Sequence, residues 1–175
     1  MKKKKSFIFF ISIIFLIGVF SIVVHKLIFT VLSGRVSFPK NNVNLTLTME
    51  DGQKFTVLRT LHIENKNNSA NSNAVFIVRF KFKGFEFETN KRLSIIPAPF
   101  PINMDGFIEK DWTFNNATGE FQGIYQWRSE TLANNYPDSF VFRIMTKRAA
   151  PGTVNYKILP NTNLAEYLKK LAAHE

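Results

Sequence analysis

Apolar and polar side chains alternate with a period of two in several segments of the chain. The alternation is cleanest over residues 74–82, where phenylalanine and valine fall on one side and isoleucine, arginine and lysine on the other. This period is typical of a β-strand that packs one face in a core. By the same pattern, or by enrichment in β-branched and aromatic residues, we predict further strands at residues 43–49, 54–63, 107–114, 120–127 and 153–159.

Two of the links between these strands predict β-hairpins. Asp51 and Gly52 form an Asp-Gly pair between strands 43–49 and 54–63. A polar connection that ends in Gly119 joins the strands at residues 107–114 and 120–127. Short polar links with glycine in the turn are a strong local signal for antiparallel pairing of the flanking strands.

Helices are predicted between and after the strands. The first helix is predicted to begin within residues 89–96, with Thr89 or Asn90 as its cap, and three prolines within residues 97–101 argue against regular helix beyond it. A second helix begins after Ser129, which is a favourable N-cap, and is interrupted near Pro137 before it resumes. The last helix is amphipathic over residues 163–173. Its apolar side carries Leu164, Tyr167, Leu168 and Leu171.

The N-terminus predicts a membrane anchor. Four lysines at residues 2–5 precede an uninterrupted apolar run over residues 7–24, and the apolar character resumes over residues 27–32. Eighteen helical residues span about 27 Å, close to the roughly 30 Å of the bilayer's hydrocarbon core. A cleavable signal peptide is the alternative, but its apolar region is normally about 7–15 residues long and ends in small residues. An uncleaved anchor through residues 7–32 agrees better with this length.

Such an anchor predicts the cellular location of the chain. The lysine cluster stays in the cytoplasm by the positive-inside rule, although Lys26 and Arg35 reduce the charge asymmetry. The chain is therefore predicted to be a single-pass protein of the cell membrane, with a cytoplasmic N-terminus. Its C-terminal domain would lie outside, in the periplasm or the extracellular space of a bacterium.

Composition narrows the function classes. The net charge is +10, but residues 1–34 carry five lysines and no acid, so half of the charge belongs to the topology signal. No nucleic-acid-binding motif accompanies the other half, and we predict no nucleic-acid partner. The chain has no cysteine, which excludes disulfides, thiolate metal sites and a cysteine nucleophile. His25, His62 and His174 share no metal-ligand spacing, so we predict neither a metal nor a cofactor.

About half of the chain resembles the dimeric α+β barrel superfamily, in particular small bacterial mono-oxygenase-like proteins. The resemblance rests on three stretches, PINMDGFIEKDWTF, then TGEFQGIYQW followed by Ser-Glu, and then APGTVNYKIL. It implies an α+β fold, a ferredoxin-like βαββαβ half-barrel whose sheet pairs with a second copy to form a homodimer. In this chain a β-hairpin and a transmembrane helix precede the half-barrel. The proline-rich segment departs from the family pattern, because an ordinary first helix would run there.

The homodimer prediction depends on what covers the second face of the sheet. A face that carries Ile77 and Ile124 is too apolar to remain in contact with water. A second copy of the chain covers it according to the resemblance. The alternative is that the predicted hairpin of residues 43–63 covers it within the same chain.

Aromatic residues are the candidate ligand-binding residues. Trp112, Tyr125 and Trp127 combine large apolar rings with a polar tip and would lie at the mouth of the half-barrel, where they could bind a planar apolar ligand. Simple core packing beneath the helices is the alternative. Arg92 and Arg143, one on each predicted helix, are candidates for contacting an anionic group, and solvated helix faces explain them equally well.

Glu109 and Asp111 are the only acids whose spacing invites a catalytic interpretation. They lie two residues apart on one side of a predicted strand, as paired carboxylates for acid–base catalysis would. Two water-facing acids near lysine and arginine are the commoner arrangement. The catalytic residues therefore stay unidentified at this stage.

The sequence thus predicts four segments and a modest function. Residues 1–34 hold the lysine cluster and anchor, 35–73 a linker and hairpin, 74–160 the ferredoxin-like domain, and 161–175 the terminal helix. The predicted function is binding of a small apolar ligand or service as a dimerisation module. One alternative is a cofactor-independent mono-oxygenase acting on an apolar aromatic or lipid-like substrate. Another is a structural envelope protein.

Overall fold

A computed structural model of the chain describes residues 34–64 and 73–173, together with Gly18, Ser21, Ile22, His25 and Ile28. These five single residues are helical and exposed. The lysine cluster, most of the apolar run, and His174 lie outside the described residues, so the anchor and its orientation stay predictions. None of the described helices is long and apolar enough to cross a membrane.

Within the described ranges, seven strands form a single sheet in which every pairing is antiparallel. They are β1 (Val36–Ser37), β2 (Thr46–Thr48), β3 (Lys54–Ile63), β4 (Ala74–Phe80), β5 (Phe107–Phe114), β6 (Phe121–Trp127) and β7 (Asn155–Leu159). Their order across the sheet is β1-β3-β5-β6-β4-β7, and β2 pairs with β3 alongside β1. The two predicted hairpins, β2–β3 and β5–β6, are both present.

Five short helices accompany the sheet in the described part of the chain. They are α1 (Phe87–Leu93), α2 (Pro99–Ile102), α3 (Glu130–Asn135), α4 (Phe140–Lys147) and α5 (Leu164–Ala172). Ser129 caps α3 by accepting a hydrogen bond from the backbone N–H of Leu132 at 3.3 Å. Ser139 caps α4 in the same way. The interruption predicted near Pro137 is therefore confirmed, and it separates two capped helices.

The chain from β4 to β7 has the ferredoxin-like topology. Its elements follow the order β4-α1-α2-β5-β6-α3-α4-β7, and its four strands lie side by side as β5-β6-β4-β7. This βαββαβ order with an antiparallel sheet is the predicted α+β fold. The β1–β3 segment extends the same sheet, because β3 pairs with β5 at its edge.

Each face of the sheet carries its own core. Helices α1 to α4 cover the first face, which we call the helix-side face, and its core includes Phe76, Trp112 and Tyr125. Helix α5 and the β2–β3 hairpin cover the second face, which we call the α5-side face. The apolar side of α5 is buried there, as the sequence pattern predicts.

The α5-side face is covered within one copy of the chain. Ile77 and Ile124 are buried in a cluster with Leu47 and Phe55 of the hairpin and with Leu168 of α5. Of the two covers predicted for this face, the one within the chain is present, and α5 joins the hairpin in forming it. A homodimer formed through this face, as the resemblance implies, would have to displace α5.

Several element boundaries differ from the sequence-based expectations for local reasons. Strand β2 is shorter than predicted because Asn44 has φ of 70°, outside the extended region. Helix α1 begins earlier than residue 89, and Asn90 is not its cap but a buried residue that donates to the carbonyl of Phe85. A four-residue helix does follow residue 96, because Pro99 occupies its first turn, where proline is tolerated.

Candidate functional site

A cavity lies between the helix-side face of the sheet, residues 94–100 around α2, and helix α4. Its volume is about 130 Å³. It is lined by Phe80, Phe82, Ser94, Ile96, Pro97, Phe100, Lys110, Trp112, Thr113, Phe121, Gln122, Gly123, Tyr125, Ile144, Met145 and Arg148. Most of these side chains are aromatic or aliphatic, so the cavity offers an apolar site with few polar groups, as small-molecule sites commonly do.

Aromatic rings in edge-to-face contact form one wall of the cavity. The ring centroids of Phe80 and Phe82 are 4.8 Å apart, and those of Phe82 and Phe121 are 4.7 Å apart. The alternation of β4 and its extension places the first two rings on one face, and β6 supplies the third. Such contacts hold the rings in fixed positions. The wall is therefore formed by sheet residues rather than by a loop.

Tyr125 forms the floor of the cavity together with Trp112. The Tyr125 hydroxyl accepts a hydrogen bond from the Tyr136 hydroxyl at 3.2 Å and donates to the sulfur of Met145 at 3.7 Å. Burial raises the pKa of Tyr125 well above its ordinary value, and it raises the pKa of Tyr136 to about 12. Both phenols are therefore neutral hydrogen-bonding groups at physiological pH.

Gly123 allows the Tyr125 ring to lie against strand β6. A Cβ atom at Gly123 would lie 2.7 Å from Cε2 of Tyr125, well inside van der Waals contact. The Tyr125 ring cannot move easily, because Tyr136 and Phe76 pack against it. Glycine at this position thus helps to preserve the floor of the cavity.

Lys110 is the ionisable group buried in the cavity. The residue is 5% exposed, and its Nζ lies 4.2 Å from the ring centroid of Trp112 and 4.5 Å from that of Tyr125. Burial, together with the smaller effect of the Arg59 charge, lowers the pKa of Lys110 to about 7. Among the described residues, no carboxylate lies within ion-pair distance of this amine.

A second cation lies at the side of the cavity that α4 forms. Arg148 follows the last turn of α4, and its guanidinium carbon is 4.8 Å from the ring centroid of Phe82. The residue is half-buried and lines the cavity. Arg148, rather than the arginines selected from the sequence, is thus placed to meet a polar group at this side.

The structure separates the residues predicted for the site. Trp112 and Tyr125 line the cavity, whereas Trp127 is buried beside it, with its ring 5.3 Å from that of Tyr136. Arg92 and Arg143 are exposed and do not line the cavity. Sequence reasoning missed Lys110. A lysine two residues before Trp112 on the same strand was the available signal, because alternation places both on one face.

The opposite face of β5 carries the two acids considered for catalysis. Thr60 donates a hydrogen bond to Asp111, which is fully buried, and Glu109 pairs with His62 at 2.7 Å. Burial raises the pKa of Asp111 to about 7, and the charge of Glu109 contributes to the shift. The Glu109 carboxylate raises the pKa of His62. The expectation that both acids face water is wrong for Asp111, because the β2–β3 hairpin covers it.

No group of three or more histidine and acidic side chains in the described part of the chain is arranged to hold a metal ion. His62 is engaged by Glu109 at the edge of the α5-side face, away from the cavity. The polar residues that line the cavity, among aromatic and aliphatic ones, are Ser94, Lys110, Thr113, Gln122, Tyr125 and Arg148.

No protein-family model matches the chain, and no curated protein sequence matches it. An uncharacterized ferredoxin-fold protein from Listeria monocytogenes, described as related to antibiotic biosynthesis monooxygenases, aligns with a TM-score of 0.45 and 14% identity, over 66% of this chain and 69% of its own. A heme-degrading enzyme from the same organism aligns with a TM-score of 0.46 and 13% identity, over 70% and 95%. A monooxygenase-like protein from Listeria innocua aligns with a TM-score of 0.44 and 14% identity, over 63% and 65%.

These neighbours are similar to the chain at a level that concerns fold alone. The assignment of the fold rests on the strand order β5-β6-β4-β7 with its intervening helices. The chain is an α+β protein with a ferredoxin-like, antiparallel sheet.

Proposed function

We propose that the protein binds a small, planar, apolar ligand in the helix-side cavity. The cavity itself is the observation that supports this proposal. It combines aromatic walls with one buried amine, and the guanidinium of Arg148 lies at one side. Close packing is the rule in protein interiors, so a lined void of this size is a feature that needs a reason.

The volume limits the size of the ligand. An engineered cavity of about 150 Å³ with apolar walls, in another protein, binds benzene. A cavity of about 130 Å³ is therefore suited to a single aromatic ring with a small substituent. Edge and face contacts with Trp112, Phe121 and Tyr125 would hold such a ring.

Haem does not fit this cavity. Sites for drug-sized ligands have volumes of roughly 300–1,000 Å³, well above the volume here. No histidine is among the described residues that line the cavity, so a common axial ligand to iron is missing as well. The description of one structural neighbour as heme-degrading therefore gives no reason to expect haem in this chain.

The two tryptophans of the chain allow a direct binding test. Trp112 lines the cavity and Trp127 lies outside it, so W127F leaves one reporter at the site and W112F leaves one in the core. Toluene added to the full chain in detergent micelles should change the emission of the W127F protein in a saturable way. The W112F protein should respond much less. Equal responses, or no response in either protein, would contradict binding in the cavity.

Four further predictions from the sequence are tested alongside this proposal. Anchoring through residues 7–32 would place the cavity close to a bilayer, which is a source of apolar ligands. A reporter fused after Glu175 tests the orientation of the anchor, and a cytoplasmic signal would contradict the predicted one.

Oxygenase activity is tested by measuring oxygen uptake with a bound ligand. An envelope protein without a ligand site is indicated by the absence of toluene binding. A homodimer is tested by measuring the mass of the protein in the micelle, after the detergent mass is subtracted. A monomer at high protein concentration would contradict it.

A further inference from the structure

We propose that Lys110 captures aldehydes or ketones in the cavity by forming a reversible imine with them. This proposal rests on the proposed function, because it requires that an aromatic ligand enter the cavity. It adds a substrate class, small aromatic carbonyl compounds, and names the atom that bonds to them, the Nζ of Lys110.

The position of the amine carries the proposal. The Nζ lies over the rings of Trp112 and Tyr125 in a residue that lines the cavity. No described residue forms a hydrogen bond or an ion pair with it. Two aromatic ring faces are its neighbours instead, and a buried amine without a hydrogen bond or an ion pair is costly to a fold. A carbonyl compound in the cavity would meet this amine directly.

The charge environment favours the reactive form of the amine. Only an uncharged amine attacks a carbonyl group, and at pH 7 less than about one in a thousand solvent-exposed lysines is uncharged. Lys110 has a pKa of about 7, because it is buried and lies near the charge of Arg59. The uncharged form is therefore far more populated at neutral pH than it is in an exposed lysine. Desolvation and a neighbouring cation are the two ways in which proteins activate imine-forming lysines.

The reaction is balanced without any cofactor. The nitrogen lone pair attacks the carbonyl carbon, and one N–H proton passes to the carbonyl oxygen to give a carbinolamine. Loss of the hydroxyl group together with the remaining N–H proton, as one water molecule, then forms the C=N bond. No oxidant or reductant takes part, and addition of water reverses the step.

An aromatic carboxylate is the competing ligand for a buried lysine. It would bind as an ion pair to the ammonium form, which burial and Arg59 both disfavour. An aldehyde requires the uncharged form that these same conditions favour. The charge state of the amine therefore favours a carbonyl compound, whereas the guanidinium of Arg148 would attract an acid, so the test below includes both ligands.

Reductive trapping tests the proposal with the full chain in detergent micelles. Benzaldehyde and sodium cyanoborohydride are added at pH 7, and intact mass followed by peptide mapping locates the product. We expect one benzyl group on Lys110 at times when exposed lysines are still unmodified. K147M, which removes an exposed lysine of α4, should leave this labelling unchanged. K110M should abolish the fast labelling, while toluene should still bind to the K110M protein.

The outcomes separate the imine from the binding site. Toluene binding without modification of Lys110, or labelling spread over exposed lysines, would overturn the imine and leave the proposed function intact. Competition by benzoate with Lys110 unmodified would also overturn it, in favour of an aromatic acid. If neither toluene nor benzaldehyde binds, the proposed function fails and the imine fails with it.

Discussion

Lys110 and Asp111 are neighbours on one strand, and their side chains enter the two opposite faces of the sheet. Both are buried, and burial moves the pKa of each to about 7. Asp111 lies beneath the hairpin and receives a hydrogen bond from Thr60. Lys110 lies in a cavity between aromatic rings and has no hydrogen-bonding or charged partner among the described residues.

The two faces of the sheet differ in how they are covered, and this difference indicates which face carries the function. Apolar side chains from α5 and the hairpin cover the α5-side face, where the resemblance implies a second copy. The helix-side face keeps a void and an amine, both of which lower stability. Features that weaken a fold without a structural reason are commonly retained for binding or catalysis. The helix-side face is therefore where we place the function.

The largest effect that distinguishes the faces is the pH dependence of stability. The raised pKa of Asp111 gives stability that is complete below pH 3.8 and is lost as the pH rises to about 7. The lowered pKa of Lys110 gives stability that is complete above pH 10.5 and is lost as the pH falls to about 7. The free energy of unfolding should therefore pass through a minimum near pH 7, with limbs of the order of 3 to 5 kcal/mol.

Urea unfolding between pH 5 and pH 9 measures this minimum. Two variants show which residue causes the change in stability on each side of it. D111N should flatten the acidic limb only, and K110M the alkaline limb only. A maximum of stability near pH 7 in the unmodified protein would contradict the burial of both groups.

Truncation in the α5-side core is the next largest effect. Leu168 is buried between α5 and the sheet, so L168A should lower the free energy of unfolding by about 2–5 kcal/mol. Ile144 lines the cavity and is half-buried, and I144A should lower it by less than about 1 kcal/mol. Thermal unfolding of both variants compares the two losses of unfolding free energy. Equal losses would mean that the two faces are packed alike.

A single methyl group at Gly123 should disturb the cavity floor. G123A forces the Tyr125 ring away from β6, and overpacking of this kind lowers stability by about 1–3 kcal/mol. Toluene affinity should fall as well, because Tyr125 would move into the cavity. Isothermal titration with toluene checks this. G119A serves as a control for affinity: Gly119 lies in a turn and does not line the cavity, so its φ of +71° should make alanine costly to stability without changing toluene affinity.

The His62–Glu109 pair should have the smallest effect. Glu109 raises the pKa of His62, so the pair stabilises the fold fully below pH 6.5 and loses its effect as the pH rises through the raised value. Both side chains are partly exposed, which limits the contribution to about 1 kcal/mol or less. H62Q should remove this difference between pH 5 and pH 8 in urea unfolding, and an unchanged pH profile would contradict the pairing.

Local patterns predicted most of the fold because local chemistry determines it. The Asp-Gly turn, the Ser129 cap and the apolar side of α5 each depend on residues close together in the chain. Strand β2 was predicted too long because a single residue, Asn44, leaves the extended region. Such a choice depends on tertiary context, which alternation does not report.

The site was less accessible to sequence reasoning than the fold. Trp112 and Tyr125 were predicted because large rings mark a pocket wherever the sheet places them. Lys110 was missed because it sits in an ordinary polar stretch, Glu109 to Asp111, and its burial depends on packing by distant segments. Whether a charged residue of a strand is buried is decided by its neighbours across the sheet, and these are separated from it by long stretches of chain.

Methionine methyl resonances offer the most direct test of the difference between the faces. Met145 lines the cavity and Met49 lies in the α5-side core, so each face has its own reporter. In the full chain labelled with ¹³C-methyl methionine, benzene should shift the Met145 resonance in a saturable manner and leave that of Met49 in place. A shift at Met49 with none at Met145, or no shift at either, would contradict a ligand site on the helix-side face.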